Sequence, residues 1–314
     1  MSWDLFFVMP RQRGPSAADV LTYLRSTGVF QLSTDQADAD TFEAVYDNLL
    51  LTKVHLELSY SRPTAPDSGD EGFVNSGLSA NLKYVRPSFF AHEAMPLLEQ
   101  LARSLDLRVE DPQDESADGP IVADAQRLIA SWEHANELAV RSVIHQGAKL
   151  GYMPRERALA WWRTMQEFGL FGERLEQRLG TADLFIPTPL PALRAGDIEV
   201  YRTSILNPGV AQVLPECEYF DVLRPRRHRF MPWREDPQQE PEYGWLAAER
   251  VLTILGERLE PLPGSPDHHL VLPEARATET RNLFNKEQLE PQSTFRSVSL
   301  QAVVDVDFRA GLAA

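Results

Sequence analysis

The sequence predicts an α+β fold that opens with a β-α-β-β-α-β unit over residues 1–112. Three observations lead there. Leu51–Tyr60 and Gly77–Val85 alternate apolar and polar residues with period two, the pattern of an antiparallel pair with one buried face. Apolar residues recur at helical spacing after Ser16 and again after Ser88. Two short apolar runs, Trp3–Met9 and Leu107–Val109, open and close the segment. That order is the ferredoxin-like sandwich, or split βαβ, with both helices on one face of the sheet.

Trp3–Met9 is apolar at both parities, as expected of a central strand covered on both faces or nearly so. Ser16 is placed to cap the first helix, with Asp19 in the capping-box position. Ala17, Val20, Leu21 and Leu24 form its stripe, and Gly28 suits its C-terminal cap. A polar stretch then runs through Asp40. In the alternating pair, Val54, Leu56, Leu58 and Tyr60 oppose Lys53, His55, Glu57 and Ser59, while Leu78, Ala80, Leu82 and Tyr84 oppose Ser79, Asn81 and Lys83. The Pro-, Gly- and Asp-rich stretch Arg62–Ser76 reads as a long mobile loop. Ser88 is expected to cap the second helix, with Leu97, Leu98, Leu101 and Leu105 along its stripe. Pro96 fits only near a first turn or at a kink.

Residues 113–180 read as a linker and a helical hairpin. Its first helix spans about Ile121–Gln146; the second begins near Pro154, with Gly169 and Gly172 as the expected break. Residues 181–314 read as an irregular second α+β part cut into short pieces by prolines. Its expected elements are strands at 184–186, 198–201, 219–223 and 269–272, and an amphipathic helix from Trp245 to Leu259. A long one-sided strand is expected over Val298–Phe308, with Asp305 and Asp307 guarding a sheet edge.

Charge limits the partners. Asp and Glu number 46 against 31 Lys and Arg, a formal net charge of −15. Such a surface repels nucleic-acid phosphates and anionic lipid. It favours a basic protein partner, or serves solubility alone. No apolar run approaches the roughly 18 residues of a membrane helix, and the start lacks the basic leader and cleavage site of a signal peptide. Cys217 is the sole cysteine, so no internal disulfide or thiolate metal cluster can form, which fits a reducing, cytoplasmic setting. Lysine occurs only at Lys53, Lys83, Lys149 and Lys286, a hint of a GC-rich bacterial genome.

Three polar constellations stand out. His55 and Glu57 point the same way from one strand, with Lys53 and Lys83 on the same predicted face; the pair could transfer a proton or bind one side of a metal. The alternative is a solvated sheet face with cross-strand charge pairs. The segment Arg86–Glu93 leads into a helix start, where free N–H groups with Arg86 and His92 could hold an anion; the alternative is a plain strand-to-helix connection. Arg224-Pro225-Arg226-Arg227-His228-Arg229 is a basic island that could bind phosphate or an acidic surface through Arg226, Arg227 and Arg229, or pair with the chain's own carboxylates.

No metal site or cofactor is expected. His268 and His269 are adjacent and would diverge on a strand, and His134 with Glu137 is a single helical pair. Neither a nucleophile elbow nor a phosphate loop is present. Cys217 lies between two glutamates, which raise a thiol pKa. The first functional expectation is therefore an acidic protein-binding protein, of inhibitor or immunity type, with a basic partner. The second is an enzyme or small-molecule binder using the sheet face around His55 and Glu57. A self-associating homo-oligomer is the third.

Overall fold

The computed structural model describes residues 1–11, 14–34, 36, 39–49, 51–63, 72–114, 118–179, 184–224, 227–228, 231–235, 241–262 and 269–308, with backbone only for 169–179, 227–228 and 231–235. The fold is mixed α+β, and the chain divides into two compact units: Met1–Leu150 with Val304–Ala314, and Gly151–Val303.

The first unit contains β1 (Ser2–Pro10), α1 (Ala17–Thr27), β2 (Phe30–Leu32), β3 (Thr41–Asp47), β4 (His55–Ser61), β5 (Phe73–Lys83), α2 (Phe89–Ser104), β6 (Arg108–Glu110), β7 (Ile121–Val122) and α3 (Ala125–His145). Its sheet has seven antiparallel strands in the order β2-β3-β4-β5-β1-β6-β7, larger than the four-stranded sheet expected. The addition comes from β2, β3 and β7. The alternation of Phe42, Ala44 and Tyr46 in β3 is only three apolar positions long, too short to announce a strand beside a polar stretch.

The two expected alternating runs pair as β4 and β5, with Leu56 opposite Leu82 and Leu58 opposite Ala80. These side chains, with Trp3, Leu5 and Phe7 of β1, are buried on one face. The buried residues Val20, Leu21 and Leu24 of α1 and Phe90, Ala94 and Leu98 of α2 complete that core. The other face is open: Phe6 is 39% exposed, so β1 is not covered on both sides as its composition implied.

Local chemistry fixes the helix ends. In α1 both halves of the capping box are made: Asp19 N–H donates to Ser16 Oγ, and Ser16 N–H donates to Asp19 Oδ2. Gly28 closes the helix at φ 68°, a left-handed value open to glycine without a Cβ penalty. The start of α2 departs from expectation. Ser88 makes no side-chain cap; Asp305 instead accepts from Ser88 N–H at 2.9 Å and from Ser88 Oγ. Pro96 stands inside α2, where it removes one helical N–H donor. The expected linker is also partly structural. Asp111 is buried and accepts from Trp3 Nε1 at 3.2 Å and Ser131 Oγ at 2.5 Å.

The second unit carries β8 (Gly151–Tyr152), α4 (Arg155–Leu179), β9 (Leu190–Arg194), β10 (Val200–Leu206), β11 (Gln212–Leu214), β12 (Tyr219–Arg224), β13 (Arg227–His228), β14 (Met231–Glu235), β15 (Glu242–Ala247), α5 (Ala248–Leu255), β16 (Glu260–Pro261), β17 (Leu270–Leu272), α6 (Glu274–Thr280) and β18 (Phe295–Ser297), and β19 (Val303–Val304) follows at the chain's return to the first unit. The expected helical hairpin is thus divided, α3 in one unit and α4 in the other. Gly169 and Gly172 do not break α4, whose backbone continues to Leu179. Trp245 belongs to a strand, and the helix begins at Ala248. The long strand expected over 298–308 is replaced by a 3-10 turn at Leu300–Ala302 and the two-residue β19. Leu300, Val303, Val304 and Phe308 are the buried apolar residues there, spaced by three, one and four, so burial does not follow the period two of the sequence.

The main sheet of the second unit has the order β15-β12-β10-β9-β18, with β10 and β12 parallel and the other pairs antiparallel. One face packs Phe220, Val222 and Leu246 with Val251 and Leu255 of α5. On the other, Trp245 of β15 and Phe295 of β18 lie 5.1 Å apart between ring centroids. Four strand spacings in a flat sheet would separate those edges by about 19 Å, so the sheet curls around its aromatic side chains. Beside β15, the 289–290 segment lies antiparallel through a Trp245–Glu290 bridge, so close that a Cβ on Gly244 would meet Leu289 Cβ at 2.6 Å and Glu290 O at 2.8 Å.

Candidate functional site

The open face of the first sheet collects His55, Glu57 and Lys83 from the candidate site residues of the sequence. Strand register aligns Glu110, Phe6, Ser79, Ser59 and Glu43 in one row across β6, β1, β5, β4 and β3. Asp4, Asn81, Glu57 and Val45 form the next row. Beyond it, Ser2 pairs with Lys83, and His55 with Asp47. Carboxylates at 4, 43, 47, 57 and 110 thus share one face with Lys83, Arg108 and His55.

His55 is 34% exposed and lies between two carboxylates, Nε2 at 2.9 Å from Glu57 and Nδ1 at 3.5 Å from Asp47. Asn81 Nδ2 donates to Asp4 at 2.6 Å. Lys83 is exposed at the end of β5. Lys53 is not on this face. It occupies the turn before β4 at φ 62°, and its Nζ turns back to the Leu49 carbonyl. Asp4, Phe6, Glu43, Asp47 and Glu110 were not singled out from the sequence. Their signal was a strand pairing, and β3 was not recognised as a strand.

At the beginning of α2, the position expected to hold an external anion is filled by the chain's own Asp305. Arg86 donates to the Val85 carbonyl at 2.8 Å, and burial pushes its guanidinium pKa down. His92 faces Glu133 of α3 at 3.3 Å. Val85 is held at φ 62°, strained for a β-branched residue. Asn136, buried on α3, secures it by accepting from Val85 N–H at 2.7 Å and donating to the Arg86 carbonyl at 2.9 Å. Next to it, Glu93 Oε1 takes hydrogen bonds from Tyr46, Asn48 and Thr52 at 2.6, 2.9 and 2.9 Å, tying the β3–β4 turn to α2. Burial, then the Glu93 hydrogen bond, pushes the Tyr46 phenol pKa up.

Of the basic island, Arg226 and Arg229 lie outside the described residues, as does the Arg227 side chain. Arg224 is described, and it pairs with Glu242 at 2.9 Å and donates to the Glu287 carbonyl. The second unit also buries Arg202, 6% exposed, which contacts Glu218 Oε1 at 2.6 Å and Glu216 at 3.2 Å. Burial alone would lower the Arg202 pKa. The hydrogen bonds and charge of Glu218, then Glu216, outweigh it and hold the group above its ordinary value. Cys217 is driven the opposite way from a nucleophile, since burial and then Glu218 push its thiol pKa up.

Two concavities are described. A groove of about 870 Å³ runs along α3, with Arg127, Ser131, His134 and Leu138 on one wall and Met1 and Tyr84 on the other. A smaller one of about 160 Å³ includes Cys217, Phe220, Leu252 and His269. Neither includes His55 or Glu57. Among the described residues, no group of three or more His, Cys, Asp or Glu is placed to hold a metal ion. No helix there is long and apolar enough to cross a membrane. No protein-family model, curated protein or solved structure matches this chain.

Proposed function

We propose that this chain is a binding protein for a basic protein partner, an inhibitor or immunity-type protein working in a reducing, cytoplasmic setting. The carrying observation is the net charge of −15. A field of that sign accelerates encounter with a cationic surface and disfavours nucleic acid and anionic membrane. The architecture agrees with this reading, since its regular part ends in a solvated, carboxylate-rich sheet face. We read that sheet as an extended ferredoxin-like unit. What supports this is the order β4-β5-β1-β6 at its centre, to which β2, β3 and β7 add at the edges.

The rival reading, an enzyme or small-molecule binder working through His55 and Glu57, needs a concave site at those residues. The concavities described above lie elsewhere.

The test is capture by the purified chain from native lysate at low and at physiological ionic strength, followed by sizing of the complex. A stoichiometric protein of basic isoelectric point, weakened as salt rises, is the expected result. A partner that is acidic and indifferent to salt, or no stoichiometric partner in either buffer, would defeat the proposal. Sizing the chain alone tests self-association at the same time.

A further inference from the structure

Resting on that reading, we propose that the partner docks on the open face of the first sheet. It does so through an extended segment that carries Lys or Arg at every third position with an apolar residue among them. The face has the charge for it: Asp4, Glu43, Asp47, Glu57 and Glu110 stand against Lys83 and Arg108. It also already engages a cation-capable group, because both ring nitrogens of His55 face carboxylates.

The spacing selects the segment. Asp4 and Glu57 flank Asn81 in one row, two strand steps apart, or about 10 Å. A polyproline II segment advances about 3.1 Å per residue with three residues per turn, so cations three residues apart lie on one side of it and match that distance. The segment therefore crosses the strands instead of running along them. Phe6 supplies the apolar contact: it projects from β1, an interior strand, 39% exposed, in the row between Glu110 and Ser79. An isolated exposed apolar residue needs no explanation by itself, but this one lies inside the carboxylate ladder. The strands beneath are paired on both sides, so the ladder loses little freedom on binding. The corresponding face of the second sheet offers no such opening, since Tyr201, Tyr219, Trp245 and Phe295 close on one another and on Arg194.

The probe is a labelled short peptide with Lys or Arg at every third residue and Leu between, titrated onto the full chain at low and physiological ionic strength. Three proteins are compared: wild type, the face variant Asp4→Asn/Glu43→Gln/Glu57→Gln, and a charge-matched control Glu249→Gln/Glu257→Gln/Glu279→Gln on exposed positions of the second unit. The face variant should weaken binding about tenfold or more and the control less than about threefold, since only close charges gain beyond the general field. Phe6→Ser should weaken it about fivefold with an unchanged melting temperature, a check that does not depend on charge. A peptide of the same composition with its cations adjacent should bind more weakly to wild type. Equal weakening by face variant and control overturns this docking surface while leaving the basic-partner reading intact. No binding of either peptide to wild type at low salt overturns the basic-partner reading itself.

Discussion

The two sheets use their faces differently. The first packs one face against α1 and α2 and leaves the other as a ladder of short polar and acidic side chains. The second buries Phe220 and Val222 on one face and curls its other around Arg194 and aromatic rings that include one from each edge strand. Charge follows the same division. Carboxylates of the first sheet stand beside His55 on a solvated face, whereas Arg202 of the second is sealed against Glu218 with 6% of its side chain exposed. The lesson is that a sheet with one free face can present an interface, while a sheet that closes on its own side chains spends both faces on stability.

Five substitutions test that contrast. The largest effect is expected at Arg202→Met, which removes the buried partner of Glu218 and leaves it, among the described residues, only the Arg157 cation at 3.4 Å; it should cost about 3 kcal/mol in denaturant unfolding. On the first sheet His55→Gln, which breaks partly exposed pairs, should cost less than about 1 kcal/mol. Similar costs at the two sites would erase the distinction between the sheets. Next is Asn136→Ala, which removes the three hydrogen bonds clamping the strained Val85 turn; a loss of about 2 kcal/mol, with faster amide exchange at Val85, is expected.

Asp305→Ala should cost about 1 kcal/mol, the ordinary value of a helix N-terminal cap, because Ser88 has no side-chain cap of its own. A loss well below that would mean Asp305 serves only to seat the chain's last described segment. The smallest effect belongs to Asp221, on the curled face. Burial holds its carboxyl pKa above the ordinary value, despite hydrogen bonds from Gln292 and Gly244. A raised folded pKa means its favourable contribution is complete below the unfolded value and is lost as pH rises through the folded one. Asp221→Asn should therefore flatten the stability profile just above the ordinary carboxylate range and gain less than about 1 kcal/mol at neutral pH, discounted for its partial exposure. An unchanged profile would show that this side of the curled sheet is wetter than its ring packing implies.

Legibility in the sequence followed how local the cause was. The capping box of Ser16 and Asp19 and the left-handed Gly28 close within a few residues, and both were readable. So were β4 and β5, whose alternation records a single buried face. The face carrying His55 and Glu57 was readable in kind but not in membership. Phe6 was hidden in an apolar run, and Glu43 and Asp47 in a strand too short to declare itself. Lys53 was misplaced because a turn at φ 62° takes it off the strand, which alternation cannot show.

By itself, then, the sequence determined the α+β class, the helix caps, one buried sheet face and the acidic balance, all of which depend on periodicity, neighbouring residues or composition. Only the tertiary structure decided what lies next to what. It brought Asp305 from near the end of the chain to the start of α2, split the expected helical hairpin between two units, and curled the second sheet until its edge rings met. Those outcomes depend on contacts between residues far apart in the chain, and no local pattern records them.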